Sequence, residues 1–425
     1  MAKKIKLMDT FEKIGAFWQP TAPDDKFTGT VVVKKGKVTL STAPDYGPTL
    51  PGDMSKYLAT MGPGTRPRVN CFVGFTQEGD CSLFEAIMLN EGGLTDYTTN
   101  RKITNQNYRV NAAVFGMQID SLEAKQVDGA GFFFTKIHRM LPTPWSFDWK
   151  SEGTTYSSPS KASNVFSFRS EPLDAEIICE VFSGGGAVFK KKATVKSIPR
   201  VRVLPASAQS LEWYIDIASR IENFFALILG TSISLKRFQL FKDDKVGWVV
   251  YKTLQRDQKF DISKCIKCGS DKLSSALDKW LAVPKEKRPV EKTLLGMLRK
   301  TSVHAETEFL SLAQALEGFN RIQGGSSKKF AQRLKEIYDM LTPNFAVNLV
   351  GSKEDFAKKV VDTRDFYTHL GLNQSDHVVK DWSELFFLNQ QMQALIRCVM
   401  LLQLGIDESI LREPILYQSK MYQPL

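Results

Sequence analysis

Two hydrophobic rhythms divide this chain. Up to about residue 204 the apolar residues come in short runs rich in β-branched and aromatic side chains, set apart by Gly, Pro, Asn, Asp and Ser clusters. That pattern predicts strands. Thr28-Gly29-Thr30-Val31-Val32-Val33 and Val38-Thr39-Leu40, joined by Lys34-Lys35-Gly36-Lys37, read as a hairpin whose glycine supplies the turn. Further strands are expected at 68–74, 82–89, 108–119, 131–137, 165–169, 175–182 and 187–203. Their spacing favours a β-sandwich or barrel-like sheet over a βαβ fold. The low-complexity patch Ser151 to Ser163 reads as an exposed loop.

After Pro205 the period lengthens. Trp213, Ile217, Ile221, Phe224, Phe225 and Ile228 recur at helical intervals and predict a helix over 210–230, stopped by Gly230. Ile233 to Phe241 and Val246 to Lys252 read as a strand pair around Lys242-Asp243-Asp244-Lys245. Helices are then expected at 271–283, 290–300, 304–322, 327–341, 353–370, 379–404 and 408–418. In the helix over 379–404, Leu385, Leu388, Met392, Leu395, Val399 and Leu402 form a seam with spacings of 3 and 4. Phe386, Phe387, Ile396, Met400 and Leu404 widen its apolar surface, as in a central bundle helix or one packed on a second subunit. The expected fold class is therefore α+β and multidomain: a β-rich, sandwich-like domain followed by an all-α bundle. The expected divisions are 1–204 (β-rich, suited to recognition), 205–270 (a helix plus a small strand-pair connector) and 271–425 (α-helical).

Composition narrows the class. With 43% hydrophobic and 24% charged residues in 425, the chain has the make-up of a globular protein and is long enough for more than one core. No apolar run of signal-peptide length follows Met1-Ala2-Lys3-Lys4-Ile5-Lys6. The longest apolar runs, such as Phe224 to Leu229 and Val399 to Leu402, are too short to span a bilayer. A cytoplasmic protein without a membrane partner is expected. The formal charge of +11 suits a polyanionic partner, but the excess is shared by both halves. Its densest cluster is Lys190-Lys191-Lys192, followed by Lys196, Arg200 and Arg202. This cluster is either the solvated face of a strand or a phosphate-contacting, RNA-binding strip.

Six scattered cysteines in such a chain do not predict disulfides. Cys265-Ile266-Lys267-Cys268 has zinc-knuckle spacing, yet no second pair follows and His304 is the nearest candidate for a further ligand. Two ordinary thiols in a loop are the alternative, and no metal or other cofactor is called for. His138 lacks a cysteine or second histidine nearby, and Gly184-Gly185-Gly186 lacks the ending of a phosphate loop.

The chemistry concentrates in Arg364-Asp365-Phe366-Tyr367-Thr368-His369. A fixed cation and a group that titrates near neutrality are the minimum equipment for cutting RNA without a metal. The arginine offsets charge at the crowded phosphorus, and the imidazole moves protons on and off oxygen. On a straight helix, positions i and i+5 lie about 140° apart, so the two side chains do not converge within one ideal segment. Either the helix bends or ends near Thr368, or two copies build one cleft. The alternative reading is structural, with Arg364 paired to Glu354 or Asp355 and His369 capping a helix end.

This hexad, with Phe309-Leu310-Ser311-Leu312-Ala313-Gln314-Ala315-Leu316-Glu317 upstream and a long apolar helix downstream, resembles the R-x4-6-H motif of HEPN ribonucleases. The wider likeness, over residues 205 to 425, is to the ApeA-like HEPN group of anti-phage proteins, whose N-terminal part is β-rich. The resemblance implies catalytic Arg364 and His369, support from Asp365, Tyr367 and Glu317, and motifs facing each other across a homodimer or higher homo-oligomer. It implies a metal-independent endoribonuclease acting in abortive infection on cellular RNA such as tRNA, with the N-terminal domain sensing a trigger such as a phage protein. The other class of reading is a non-catalytic HEPN scaffold whose β-domain recognises a protein or carbohydrate.

Overall fold

The computed structural model describes residues 5–6, 9–42, 68–96, 101–141, 146–150, 153–157, 163–185, 195–251, 260–284, 304–322, 328–369 and 375–420, with 288, 292, 293, 295 and 296. It divides into a sheet unit (Met1–Thr135, Pro144–Ala218 and Leu235–Gln255) and a helical unit (Lys136–Thr143, Ser219–Ser234 and Arg256–Leu425). The expected order, a β-rich part followed by helices, is the one observed.

The strands of the sheet unit are β1 (Thr10–Gln19), β2 (Ala22–Lys34), β3 (Lys37–Thr42), β4 (Arg68–Thr76), β5 (Gly79–Asp96), β6 (Arg101–Val110), β7 (Ala112–Phe115), β8 (Gly129–Phe134), β9 (Ser146–Lys150), β10 (Gly153–Ser157), β11 (Ser163–Ser170), β12 (Ala175–Gly185), β13 (Val195–Pro205), β14 (Leu235–Lys242) and β15 (Lys245–Tyr251). The hairpin read from the sequence is β2–β3. Its turn uses Lys35 at φ 51° and Gly36 at φ 78°, the left-handed pair that matches strand twist. Thirteen strands run in the order β11-β12-β13-β8-β14-β15-β7-β5-β4-β1-β2-β3-β6, and β5 also pairs with β6. That last pairing closes β5-β4-β1-β2-β3-β6 into a barrel, which removes the exposed edges of those strands. Strand β5 changes partner at Glu85, which has φ 50°. Residues 81–84 pair with β7, and 87–96 with β6.

Alternation fills the barrel. Phe17, Val31, Val33, Val38, Leu40, Phe72, Leu83 and Tyr108 are all fully buried and belong to one core cluster. Removing a buried aromatic such as Phe72 would cost about 3–5 kcal/mol. The patch read as a loop over 151–163 is corrected in part. Gly153–Ser157 forms β10 and pairs with β9, because Thr154, Thr155 and Tyr156 have strand propensity that the surrounding serines mask. The strand pair after residue 232 lies within the large sheet, with β14 beside β8 and β15 beside β7.

The helices are α1 (Leu211–Leu229), α2 (Ser270–Ala282), α3 (Ala305–Ile322), α4 (Phe330–Tyr338), α5 (Pro343–Val350), α6 (Lys353–Thr368), α7 (Trp382–Gln403) and α8 (Glu408–Lys420). The helix expected over 290–300 falls largely outside the described residues. Helix α5 was not expected. Thr342 precedes it, Pro343 sits at its first turn where a missing N–H costs nothing, and Gly351 at φ 84° ends it. The Glu408 carboxylate accepts from the Thr342 N–H at 2.9 Å and from its hydroxyl, fixing the start of α5 to the start of α8.

Helix α7 is long and apolar enough to cross a membrane, but 78% of its most apolar window is buried inside the protein. Ile396, Met400 and Leu404, on the side away from the seam, are buried within this chain as well. Phe386 and Phe387, nearer the start of α7, are half-buried, so the central-helix arrangement holds for the part of the helix from Leu388 onward. Arg397 lies on the same helix, fully buried, and donates to Leu227 O (2.7 Å), Ile228 O (2.9 Å), Lys264 O (2.8 Å) and Gln418 Oε1 (2.8 Å). The first two acceptors are carbonyls of the last turn of α1, where a cation is favoured.

Candidate active site

Helix α6 presents the Arg–His hexad. Ser352 caps its start by accepting from the Asp355 N–H, and Phe356, Ala357, Val360 and Thr363 form its buried stripe. Arg364 follows that stripe by one position, which leaves it half-buried at the edge. Its guanidinium lies 4.9 Å from the centroid of the Phe330 ring, at the first turn of α4. A planar cation held on an aromatic face keeps its N–H edges available. Among the described residues Arg364 forms no ion pair. The two carboxylates that could have claimed it are engaged elsewhere: Glu354 with Lys335, and Asp355 with Lys359 (3.9 Å) and His377 (3.6 Å).

His369 closes α6. Its backbone N–H bonds to Asp365 O at 2.9 Å, it occupies the C-cap position, and its side chain is exposed. The helix thus ends at the histidine, as one of the two expected arrangements required. Among the described residues no hydrogen bond joins the imidazole to the Arg364 guanidinium, whose ring contact is with Phe330. The half-buried Asp365 lies between them in sequence.

Tyr367 packs inward. Its ring sits 6.3 Å from that of Phe309 and 5.1 Å from that of Phe366, and its hydroxyl donates to Val379 O at 3.4 Å. Burial, with a smaller contribution from Glu306, pushes the phenol up from its ordinary value, which suits a packing group more than a proton carrier. Glu317 on α3 pairs with Arg321 (2.9 Å) and with the buried Arg333 (3.6 Å), not with Arg364. Lys190, Lys191 and Lys192 lie outside the described residues.

Sequence reasoning missed the segment that holds α6 in place. Residues 375–380 are tied to it by Val379 N–H to Thr363 Oγ1 (3.0 Å), by Tyr367 to Val379, by Ser375 to Asp362, and by Lys380 Nζ 5.2 Å from the Phe366 ring centroid. The available signal was Thr363 itself, a hydroxyl in an otherwise apolar stripe, since a buried polar atom needs a partner. Thr363→Val should leave the Val379 N–H unpaired and cost about 1–3 kcal/mol. The measurement is the denaturant midpoint of the purified protein, and an unchanged midpoint would deny the strap a structural role.

The cysteine pair does not gather a wider donor set. Cys265 is buried with its Sγ 3.8 Å from Ile266 O, and Cys268 is half-buried. Burial raises both thiols, Cys268 to about 11. Among the described residues no three His, Cys, Asp or Glu side chains form a metal-sized group.

Two family models match the chain. The one described as ApeA N-terminal domain 1 covers residues 12–279, and the one described as Apea-like HEPN covers residues 310–410, the stretch that contains α6. No curated protein and no solved structure matches.

Proposed function

The chain belongs to the ApeA family, and from that premise we propose that it is an anti-phage endoribonuclease whose HEPN domain cuts RNA with Arg364 and His369. The observation that carries this reading is the state of Arg364: it is held on the Phe330 ring, free of ion pairs among the described residues, on the helix that ends at the exposed His369.

In this reading the substrate is single-stranded RNA, with tRNA loops as the leading class, and the site forms between two copies of the chain. The 2′-oxygen loses its proton to one His369 and bonds to the adjacent phosphorus. The bond from phosphorus to the 5′-oxygen breaks, and that oxygen takes a proton from the same imidazolium or from water. Arg364 neutralises the charge that builds on the non-bridging oxygens. Asp365 steers Arg364 or the ribose, Tyr367 and the 375–380 strap hold the helix, and Glu317 on α3 pairs with Arg321 of the same helix and with Arg333 of α4. The need for a 2′-hydroxyl restricts cutting to RNA. The β-rich domain receives the trigger, a phage protein among the candidates, and biases a two-state element that aligns the motif.

The test is incubation of purified protein with tRNA and mRNA in EDTA, with the ends of the products mapped. Products ending in 2′,3′-cyclic phosphate and 5′-hydroxyl are expected, in undiminished yield. Cleavage abolished by EDTA, or 3′-hydroxyl ends, would contradict the mechanism. No cleavage under any condition, with no toxicity during phage challenge, would return the scaffold reading.

A further inference from the structure

Outside the helical unit, one sheet face carries a chemistry that the cleavage reaction does not use. Strands β12, β13, β8 and β14 are consecutive neighbours. Their registers place Glu180 opposite Arg200, Arg202 opposite Gly131, and Phe133 opposite Arg237. With a period of two, Phe182, Glu180, Arg200, Arg202, Phe133 and Arg237 therefore share one side of the sheet. The opposite side holds Val201, Val203, Phe132 and Phe238, all fully buried.

The charged side is a ladder that runs across the strands. The Arg200 guanidinium lies 4.6 Å from the Phe182 ring centroid and 5.8 Å from that of Phe133. Arg237 lies 5.9 Å from Phe133 on the far side. Glu180, nearly buried, pairs with both Arg200 and Arg202 and holds them against the sheet. Gly131 leaves the space that Arg200 crosses to reach Gln239, since a Cβ there would stand 3.1 Å from Arg200 Cδ. Arg200, Arg202 and Arg237 share the face with two carboxylates, Glu180 and the exposed Glu176, so the guanidinium groups keep an excess of one positive charge. The Arg202 side chain is 31% exposed, and Arg237 and Phe182 are partly exposed.

We propose that this face binds single-stranded nucleic acid, with bases stacking on the Phe182 ring and the arginine planes and phosphates taken by Arg202 and Arg237. Guanidinium planes and rings at strand spacing accept bases of any identity, and fixed cations beside them accept the backbone. Arg202 and Arg237 are fixed, partly exposed cations set beside partly exposed apolar groups such as Phe182, the combination that a strand of phosphates and bases meets. The site goes beyond the proposed cleavage and does not depend on it.

The test uses the full-length His369→Ala protein and fluorescence anisotropy with labelled oligo(U) and oligo(dT) of about 20 nucleotides. Arg202→Gln combined with Arg237→Gln should weaken both probes at least tenfold. It should also flatten the dependence of log affinity on log salt by about 1.4, for two phosphate contacts on a single strand. Phe182→Ala should weaken binding at least fivefold. Arg237→Lys should keep the salt dependence but lose part of the affinity, because charge remains without the stacking plane. An affinity within twofold of the parent in the double variant would overturn the proposal. So would a loss of affinity with an unchanged salt slope, since the arginines would then not meet phosphates. Loss of cleavage has no bearing on either outcome.

Discussion

Arg397→Met is expected to destabilise the helical unit by about 1–3 kcal/mol for each buried acceptor left without a donor and to lower its melting temperature by roughly 10 °C. Methionine keeps most of the apolar volume but none of the donors. The carbonyls of Leu227, Ile228 and Lys264 and the Gln418 amide oxygen then lose a shared cation inside the core. Burial lowers the guanidinium to about 10, so it is charged at neutral pH. What keeps it there is four hydrogen bonds together with the negative end of α1. Lysine should not rescue, because one ammonium does not reach acceptors spread around a planar fork.

Gly230 provides a second arm of the same experiment. At φ 63° it ends α1 in the left-handed region, and an added Cβ would lie 2.6 Å from Arg397 Nη1. Gly230→Ala should destabilise through both strain and collision. In the Arg397→Met background only the backbone strain remains, so the two substitutions should cost less together than the sum of each alone. Additive losses in thermal or urea unfolding would show that the glycine and arginine do not share a contact.

How far the residues foretold this architecture depends on how local the deciding interaction is. The β2–β3 hairpin was legible because Lys35 and Gly36 decide it within four residues. Helices α1, α3, α6 and α7 were legible because their apolar stripes run over several turns. Barrel closure was not, since nothing local tells β6 to pair with both β3 and β5. Nor was the seat of β15, whose Trp248 pairs with Phe115 across more than a hundred residues of chain. Helix α5 has only eight residues, too few for a stripe to repeat, so its capping residues were the sole signal. Around the hexad, a helix end near Thr368 is one of the alternatives that the spacing argument leaves open, and a histidine capping a helix end is another reading. Phe330 beneath Arg364, and the strap bound to Thr363, come from other elements and leave no pattern in the hexad itself.

His369→Ala should reduce RNA cleavage by roughly 10²–10⁴, the usual worth of a positioned acid or base, with little change in stability because the side chain is exposed. Arg364→Ala should lose a similar amount, and Arg364→Lys should recover little, since an ammonium over Phe330 does not present two parallel donors to a phosphate. Mixing separates the two ways of building the site. Within one chain no hydrogen bond joins the guanidinium to the imidazole among the described residues, and α6 ends at the histidine. If the reacting pair comes from different copies, a heterodimer of the Arg364→Ala and His369→Ala chains retains one complete pair. Co-expression, or unfolding and refolding the two inactive proteins together, should then restore measurable cleavage. A site contained in a single chain predicts none, because every chain in the mixture lacks one partner. Activity that stays absent while size-exclusion and crosslinking show mixed dimers would remove the two-copy site. Undiminished cleavage by either single variant would remove Arg364 and His369 from the chemistry altogether.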